Sequence, residues 1–164
     1  KCGGKVTFEV FVDASWAVHH DCYGRTGIVM MMAGCSVGAW TYKQKIITKS
    51  STEAELVALS DAVSHMMWYR RWLRWQGHNV EPISVHEDNR AVVTLMSAER
   101  RVTQRTKHLS VRLFYAMELQ QRDIIVIEWC STDLMIADLM TKPLTGSAFT
   151  ILTSMLTGNN NTRT

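Results

Sequence analysis

A long helical segment that follows several strand-like segments is the feature that most constrains the fold of this chain. Ser50–Glu53 has the pattern of a capping box, with a serine at the N-cap and a glutamate three residues later. Helix-forming residues then continue to about Gln76, and Gly77 is typical of the residue after a helix end. Glu55 shares one helix face with an apolar stripe made of Ala58, Leu59, Ala62, Val63 and Met66. We therefore expect a helix that packs on a sheet and turns a carboxylate inward.

The residues before this helix predict three strands. Val6–Val12 mixes apolar and β-prone residues and is followed by Asp13, so we expect a strand that ends in a carboxylate. Gly24–Gly27 has the composition of a turn. Ile28–Met32 and Ser36–Tyr42 are apolar runs separated by only three residues, which predicts an antiparallel hairpin.

After the long helix, strands and helices alternate, as is typical of α/β proteins. A short strand is expected from Ile83 to a carboxylate at Asp88, and Asn89 is placed to cap a helix that runs to about Ser97. The remaining predicted elements are a helix over about Thr106–Gln121, a strand over Ile124–Trp129 and a last helix over Met135–Thr141.

Length and composition indicate one globular domain. The chain has 164 residues, of which 46% are hydrophobic and 20% charged, so a packed core needs no metal or disulfide support. We expect one domain over residues 1–149 and a frayed tail over residues 150–164, where the sequence becomes polar.

Cysteine spacing and hydropathy exclude several classes of protein. The four cysteines form no zinc-binding spacing, and no apolar stretch approaches the ~20 residues that cross a bilayer. We expect an intracellular protein with no membrane partner. Because the first residue is Lys1, we also expect a processed or trimmed piece of a longer polypeptide.

Basic residues are clustered, although the net charge is only +3. One cluster is interleaved with Trp68, Trp72 and Trp75, a pattern compatible with stacking on nucleic acid, although packing in a core or interface is favoured. The cationic residues of the two clusters are Arg70, Arg71 and Arg74 in the first, and Arg100, Arg101, Arg105 and Lys107 in the second. A plain solvated surface is the alternative for both clusters.

Four acidic residues fall at predicted element ends or on the inward helix face: Asp13, Glu55, Asp88 and Asp138. Convergent carboxylates repel one another unless a divalent cation is bound, and hard oxygen ligands favour magnesium or manganese. Two such ions can activate water and stabilise the leaving oxygen of a phosphodiester, with no side-chain nucleophile. The alternative for each residue alone is a structural turn former or helix cap.

Five sequence blocks together resemble the ordered signatures of the ribonuclease H domain of copia-type retrotransposon polyproteins, and the resemblance covers roughly Phe8–Phe149. The blocks are Val12–Trp16, Ser50–Leu56, Glu87–Asn89, Arg105–His108 and Ala137–Leu144.

This resemblance implies an α/β ribonuclease H-like fold, in which helices flank a central mixed sheet of antiparallel hairpin strands and parallel strands. It implies a metal-dependent endoribonuclease that hydrolyses the RNA strand of RNA–DNA hybrids. The implied cofactor is two Mg²⁺ ions, with Mn²⁺ able to substitute, and the implied partner is the reverse transcriptase domain of the same polyprotein. The implied location is a cytoplasmic virus-like particle or the nucleus. On this basis Asp13, Glu55, Asp88 and Asp138 are the expected metal ligands and catalytic residues.

Substrate binding is assigned to Asn89 and to a cationic turn that precedes a helix and can hold phosphates, formed by Arg105, Thr106, Lys107 and His108. The chain departs from the family after His108, because Ser110 and Phe114 stand where an acidic residue and a histidine are usual. The loop Ser131–Met135 also has no histidine, so we assign no catalytic histidine.

Two other functions stay open. The chain could be a degenerate domain that binds hybrid or docks to the polymerase without cleavage. It could also keep the fold and act on DNA, as related nucleases, integrases and transposases do.

Overall fold

The computed structural model describes residues 5–18, 20–97 and 110–158, with only the backbone of residues 110–112. Its strands are β1 (Lys5–Val6), β2 (Phe8–Ser15), β3 (Arg25–Met32), β4 (Cys35–Lys43), β5 (Asn79–Val80), β6 (Ile83–Glu87) and β7 (Ile125–Trp129). Its helices are α1 (Ser51–Trp75), α2 (Arg90–Ser97), α3 (Ser110–Gln121), α4 (Asp138–Thr141) and α5 (Gly146–Leu156), and a 3-10 turn spans Thr132–Leu134.

A mixed five-stranded sheet in the order β4-β3-β2-β6-β7 forms the centre of the described fold. The β4-β3 and β3-β2 pairs are antiparallel, whereas β2-β6 and β6-β7 are parallel. The β3–β4 hairpin turns at Ala33 and Gly34, whose φ angles of 53° and 77° match the left-handed backbone that such tight turns require. The α/β fold class predicted from the sequence, with hairpin strands and parallel strands in one sheet, is confirmed.

Successive strand residues point to opposite sides of the sheet, and at its central strands both faces are covered by a core. Val10 and Val12 belong to a core formed with α1, α2 and α3, whereas Phe11 belongs to a second core formed with the segment around α4 and with α5. The end of β2 therefore lies between two layers of helices, where side chains from both layers can meet.

Several predicted boundaries are wrong. Asp13 lies within β2 and pairs with Gly27 of β3, so the strand runs two residues beyond the carboxylate. For the same reason Gly24–Gly27 is no simple turn, since β3 begins at Arg25 and its pairing with β2 extends this far. Trp68, Trp72 and Trp75 are exposed, so packing in the core of the domain is excluded for these side chains.

The C-terminal expectations also need correction. Of the helix expected over Met135–Thr141 only the short α4 forms, with a 3-10 turn before this span at Thr132–Leu134, and α4 is not the last helix. Residues 150–156 are not frayed, because α5 continues to Leu156 and buries Leu152 against the second core. In the described part of the chain, no helix has the length and apolar character needed to cross a membrane.

Candidate active site

Adjacent parallel strands bring two aspartates to one end of the sheet. Asp13 lies near the end of β2 and is 1% exposed, whereas Asp88 directly follows the neighbouring strand β6 and is half-buried. The Thr132 hydroxyl donates a hydrogen bond to Asp88 Oδ2 at 3.0 Å, and the Trp129 ring nitrogen donates to the Asp88 carbonyl at 3.2 Å. Asp88 is therefore held on both its side chain and its backbone.

The second turn of α1 supplies a glutamate to the same place. Ser50 caps the helix by accepting a hydrogen bond from the Glu53 amide at 3.2 Å, and the Glu53 carboxylate accepts from the Lys49 amide at 2.7 Å. Glu53 thus forms hydrogen bonds at the N-terminus of α1, as its place in a capping box predicts. Glu55 points inward and is 5% exposed.

Carboxylate oxygens of Asp13, Glu55 and Asp88 lie within 4.8 Å of one another. The structure therefore brings three of the four predicted ligands into one cluster. Such a separation suits a shared divalent cation, because like charges at this distance are otherwise unfavourable.

A fourth carboxylate, Glu87, interacts electrostatically with this cluster although it was given no site role from the sequence. Glu87 is fully buried at the end of β6, and its Oε1 accepts a hydrogen bond from the Asn89 amide at 3.0 Å. Burial, with repulsion from Asp88 and Asp13, raises the pKa of Glu87 to about 8 despite that hydrogen bond. The sequence feature that could have indicated Glu87 is the pair Glu87-Asp88 at the end of β6. The last residue of a strand and the residue after it can both reach a site at that end of the sheet.

Glu55 is the most strongly perturbed group of the site. Burial, followed by repulsion from Glu87, Asp13 and Asp88, raises its pKa to about 11. The Oε2 atoms of Glu55 and Glu87 are both buried and accept no hydrogen bond from any described residue. Two buried acceptors without donors indicate that the cluster is incomplete without a cation or bound protons.

Asp138, the fourth predicted ligand, is paired with a cation of the chain itself. It begins α4, is 5% exposed, and its Oδ1 accepts a hydrogen bond from Lys142 Nζ at 2.7 Å. The same ammonium lies 3.3 Å from Asp13 Oδ1, and the Thr141 hydroxyl donates to Asp13 Oδ2. Lys142 therefore bridges Asp13 and Asp138, a role that the sequence did not reveal because the contact with Asp13 joins residues 129 positions apart.

Burial and charge pairing have opposite effects on the pKa of Lys142 and on the pKa of Asp138. Burial alone lowers the pKa of Lys142, but the neighbouring Asp13 and Asp138 outweigh it and raise the pKa above the ordinary lysine value. For Asp138, burial dominates and raises the pKa, although the hydrogen bond from Lys142 lowers it. The lysine thus stays charged, and its charge offsets part of the repulsion in the site.

A glycine sets the distance between the sheet and α4. A Cβ atom on Gly27 would lie 2.6 Å from Thr141 Cγ2 and 2.9 Å from both the Ala137 carbonyl oxygen and Met140 Cβ. Since Gly27 pairs with Asp13, the missing side chain allows α4 to approach the strand that carries the aspartate.

The predicted substrate contacts are only partly within the described structure. The Asn89 side chain accepts a hydrogen bond from the Ala91 amide at 3.0 Å, so it caps α2 as expected. Phe114 is partly exposed on α3. The cationic turn of Arg105, Thr106, Lys107 and His108 lies outside the described residues.

The geometry defines a class of protein: an α/β domain with a ribonuclease H fold and a carboxylate cluster at the sheet end. Solved ribonuclease H structures superpose on it at low sequence identity. A ribonuclease H1 isolated from compost has a TM-score of 0.63 at 14% identity and covers 82% of this chain and 92% of its own. The N-terminal ribonuclease H domain of a Mycobacterium tuberculosis protein has a TM-score of 0.61 at 16% identity, with 91% and 97% covered.

Sequence relatives show which proteins the chain resembles. The Pol polyprotein of transposon RE1 from Arabidopsis thaliana is 29% identical over 151 residues, which are 91% of this chain. That of transposon TNT 1-94 from Nicotiana tabacum is 27% identical over 124 residues, or 76% of the chain. The chain is homologous to one segment of these retrovirus-related polyproteins and spans about a tenth of their length. No family model matches it. The resemblance drawn from the sequence blocks is thereby confirmed.

Proposed function

We propose that the chain is a metal-dependent endoribonuclease that hydrolyses the RNA strand of RNA–DNA hybrids during retrotransposon reverse transcription. The observation that carries this proposal is the cluster of Asp13, Glu55 and Asp88 oxygens within 4.8 Å, on a ribonuclease H fold. A domain released from catalysis would have no physical reason to keep mutually repelling carboxylates buried at one place.

The residues present fit a divalent cation. All candidate ligands are hard carboxylate oxygens, and the buried Oε2 atoms of Glu55 and Glu87 have no donor among the described residues. Asp13, Glu55 and Asp88 would hold one magnesium or manganese ion. A bound ion of this kind supplies Lewis acidity at the scissile phosphate and lowers the pKa of a water molecule.

We also propose the second ion of the predicted pair. Asp138 would hold it together with Asp13, but Lys142 now bridges these two carboxylates. Lys142 would have to withdraw for a second cation to bind, so we expect the second ion to bind more weakly than the first. Thr132, which donates to Asp88, and Thr141, which donates to Asp13, orient the carboxylates in either state.

Recognition of the hybrid would depend on shape. A compost ribonuclease H1 with a TM-score of 0.63 to this chain has been solved in complex with an RNA/DNA hybrid. An RNA strand offers 2′-hydroxyls in a shallow groove, so this chain would distinguish RNA from DNA with little base specificity. We assign phosphate contacts to Arg105 and Lys107, which remains a proposal.

The polymerase partner is part of the same proposal. A foamy virus protease–reverse transcriptase contains a region that superposes on this chain with a TM-score of 0.52 at 12% identity. We propose that this chain likewise acts beside the reverse transcriptase of its own polyprotein, in a cytoplasmic particle or in the nucleus.

Incubation with end-labelled substrates tests the activity. Purified protein is mixed with RNA–DNA hybrid, duplex RNA or duplex DNA, each with magnesium or with EDTA. Cleavage of only the RNA strand of the hybrid, and only with magnesium, is expected. Hybrid binding without cleavage would favour a degenerate domain, and cleavage of duplex DNA would favour a DNA nuclease.

Asp133→Asn provides a matched control for substitutions in the site. Asp133 is an exposed aspartate in the 3-10 turn beside the site, and it is not one of the clustered carboxylates. Its loss should leave cleavage near the parent rate, so a lost charge near the site is distinguished from a lost ligand.

A further inference from the structure

The outward face of the second half of α1 carries an aromatic and cationic surface that the proposed active site does not use. We call it the Trp–Arg surface, and it consists of Trp68, Arg70, Arg71, Trp72, Arg74 and Trp75. Trp68, Trp72 and Trp75 are 60%, 41% and 83% exposed. Large aromatic side chains are rarely left in water in such a group unless they contact a partner.

The surface forms two adjoining grooves. One, of about 300 Å³, is lined by Trp68, Arg71, Trp72 and Trp75. The other, of about 470 Å³, is lined by Met67, Arg70, Arg71, Arg74, Trp75 and Tyr115. The rings of Trp68 and Trp72 are nearly parallel, with an interplanar angle of 6° and centroids 6.2 Å apart. Arg71 and Trp75 belong to both grooves, so aromatic faces and guanidinium groups adjoin along the helix.

The charge of this surface is not compensated within the described structure. Neither Arg70, Arg71 nor Arg74 forms an ion pair with a described carboxylate, and Arg70 Nε is buried without an acceptor there. Burial, reinforced by the positive charge of Arg74, lowers the pKa of Arg70. Clustered cations without counter-ions are costly, and an anionic ligand would relieve that cost.

We infer that the Trp–Arg surface binds single-stranded nucleic acid, with phosphates on the arginines and bases stacked on the tryptophans. Stacking on aromatic rings beside a cationic groove is the general way in which proteins hold single strands without reading sequence. The three arginines of the surface favour a nucleic-acid strand over a protein partner, because each nucleotide carries a negative phosphate. A protein would have to place three carboxylates against one helix to match that charge.

The position of the surface suggests where the strand comes from, and this step rests on the proposed function. Trp68 and Trp75 follow Glu55 by 13 and 20 residues on the same helix, which is about 20–30 Å along its axis. That distance corresponds to roughly six to nine stacked nucleotides. Trp75 is rotated by about 200° from Glu55 around the axis, so the tryptophan side of the surface faces away from the carboxylate cluster. A single strand that continues beyond the hybrid could reach it by passing around α1.

Binding of a labelled oligonucleotide in EDTA tests this inference without requiring catalysis. Fluorescence anisotropy is measured with oligo(dT) of about 20 nucleotides and with oligo(U) of the same length, across a salt series. Trp75→Ala should weaken binding roughly 5- to 150-fold, the usual effect of losing one stacking platform, whereas Trp75→Phe should keep most of the affinity. Replacing Arg71 and Arg74 together by alanine should lower the salt slope by about 1.4, since each phosphate contact contributes about 0.7.

Arg122→Ala is the matched control, because Arg122 is an exposed arginine on another part of the chain, next to α3, and is paired with Glu118. It should bind oligo(dT) like the parent. If the Arg71/Arg74 variant matched this control in salt slope, or if Trp75→Ala bound like the parent, the surface would not be a nucleic-acid site and would be assigned to a protein interface.

Cleavage of blunt hybrid separates this inference from the proposed function. The variants of the Trp–Arg surface should cut blunt hybrid like the parent, because the surface lies away from the carboxylates. A protein that binds oligo(dT) as expected but cuts nothing would support the strand site and contradict the nuclease. A protein that cuts hybrid but binds oligo(dT) equally in all variants would support the nuclease and contradict the strand site.

Discussion

Replacing Lys142 with methionine would test whether this lysine is the internal counter-ion of the site. Lys142 Nζ lies 2.7 Å from Asp138 and 3.3 Å from Asp13, whose side chains are only 7% and 2% exposed. Removing one partner of a fully buried ion pair costs about 3–5 kcal/mol, and removing an exposed one costs about 0–1 kcal/mol. Because the Lys142 side chain is 38% exposed, we place the loss between these limits, at about 2–3 kcal/mol.

The assay is thermal denaturation followed by circular dichroism, in EDTA and then in millimolar magnesium. For a protein of this size the loss corresponds to roughly 5–10 °C in Tm. Methionine keeps most of the volume of the lysine stem, so packing changes little. Magnesium should raise the Tm of Lys142→Met more than that of the parent, because the added ion meets two carboxylates that no longer have a counter-ion.

Lys43→Met is the matched control for this prediction. Lys43 forms an ion pair with Asp21 at the same 2.7 Å distance, but both side chains are about half exposed. This control should lose about 1 kcal/mol or less and should not change its response to magnesium. Equal losses in the two variants, or equal magnesium responses in Lys142→Met and the parent, would refute the assignment of Lys142 as the counter-ion.

Three further predictions concern the carboxylates. Asp13→Asn should abolish cleavage of hybrid in the gel assay while circular dichroism shows a folded protein, and a near-parent rate would exclude Asp13 as a ligand. Glu55→Gln should also nearly eliminate cleavage, whereas Glu53→Gln should stay largely active because glutamine also serves in a capping box; the reverse result would move the ligand to Glu53. In EDTA the stability should fall as pH rises from about 4.5 to about 8, where Glu87 ionises in the folded protein, and should continue to fall toward the value of about 11 for Glu55. The reason is that the folded state holds protons that the unfolded state has released; chemical denaturation at several pH values measures this, and a flat profile in EDTA would contradict it.

The sequence predicted most of the elements because their patterns were strong. The capping box at Ser50 and the glycine at Gly77 defined α1 to within a residue, and Asn89 marked the start of α2. The end of β2 was missed because Asp13 looked like a terminator, whereas its pairing with Gly27 extends the strand. α5 was missed because polar residues after it masked a short apolar stripe that contacts the second core.

The sequence predicted which carboxylates meet in the site, but it did not predict all of the contacts that they make. Asp13, Glu55 and Asp88 converge as expected because strand ends and a helix face could be inferred from local patterns. The bridge from Lys142 to Asp13 joins residues 129 positions apart, and no local pattern reports such a contact. Burial of Glu87 likewise depends on how β6 packs between its neighbours, which only the assembled sheet determines.

The contact between β2 and the C-terminal end of α4 has a consequence for biosynthesis. Thr141 and Lys142 contact Asp13, which precedes them by 128 and 129 residues, so the ribosome adds these partners long after Asp13. A growing chain holds Asp13, Glu55, Glu87 and Asp88 long before their counter-ion exists. At synthesis rates of about 5–20 residues per second, Lys142 is added seconds after these carboxylates. The nascent domain therefore cannot complete this cluster of carboxylates and lysine until α4 and Lys142 have been synthesised.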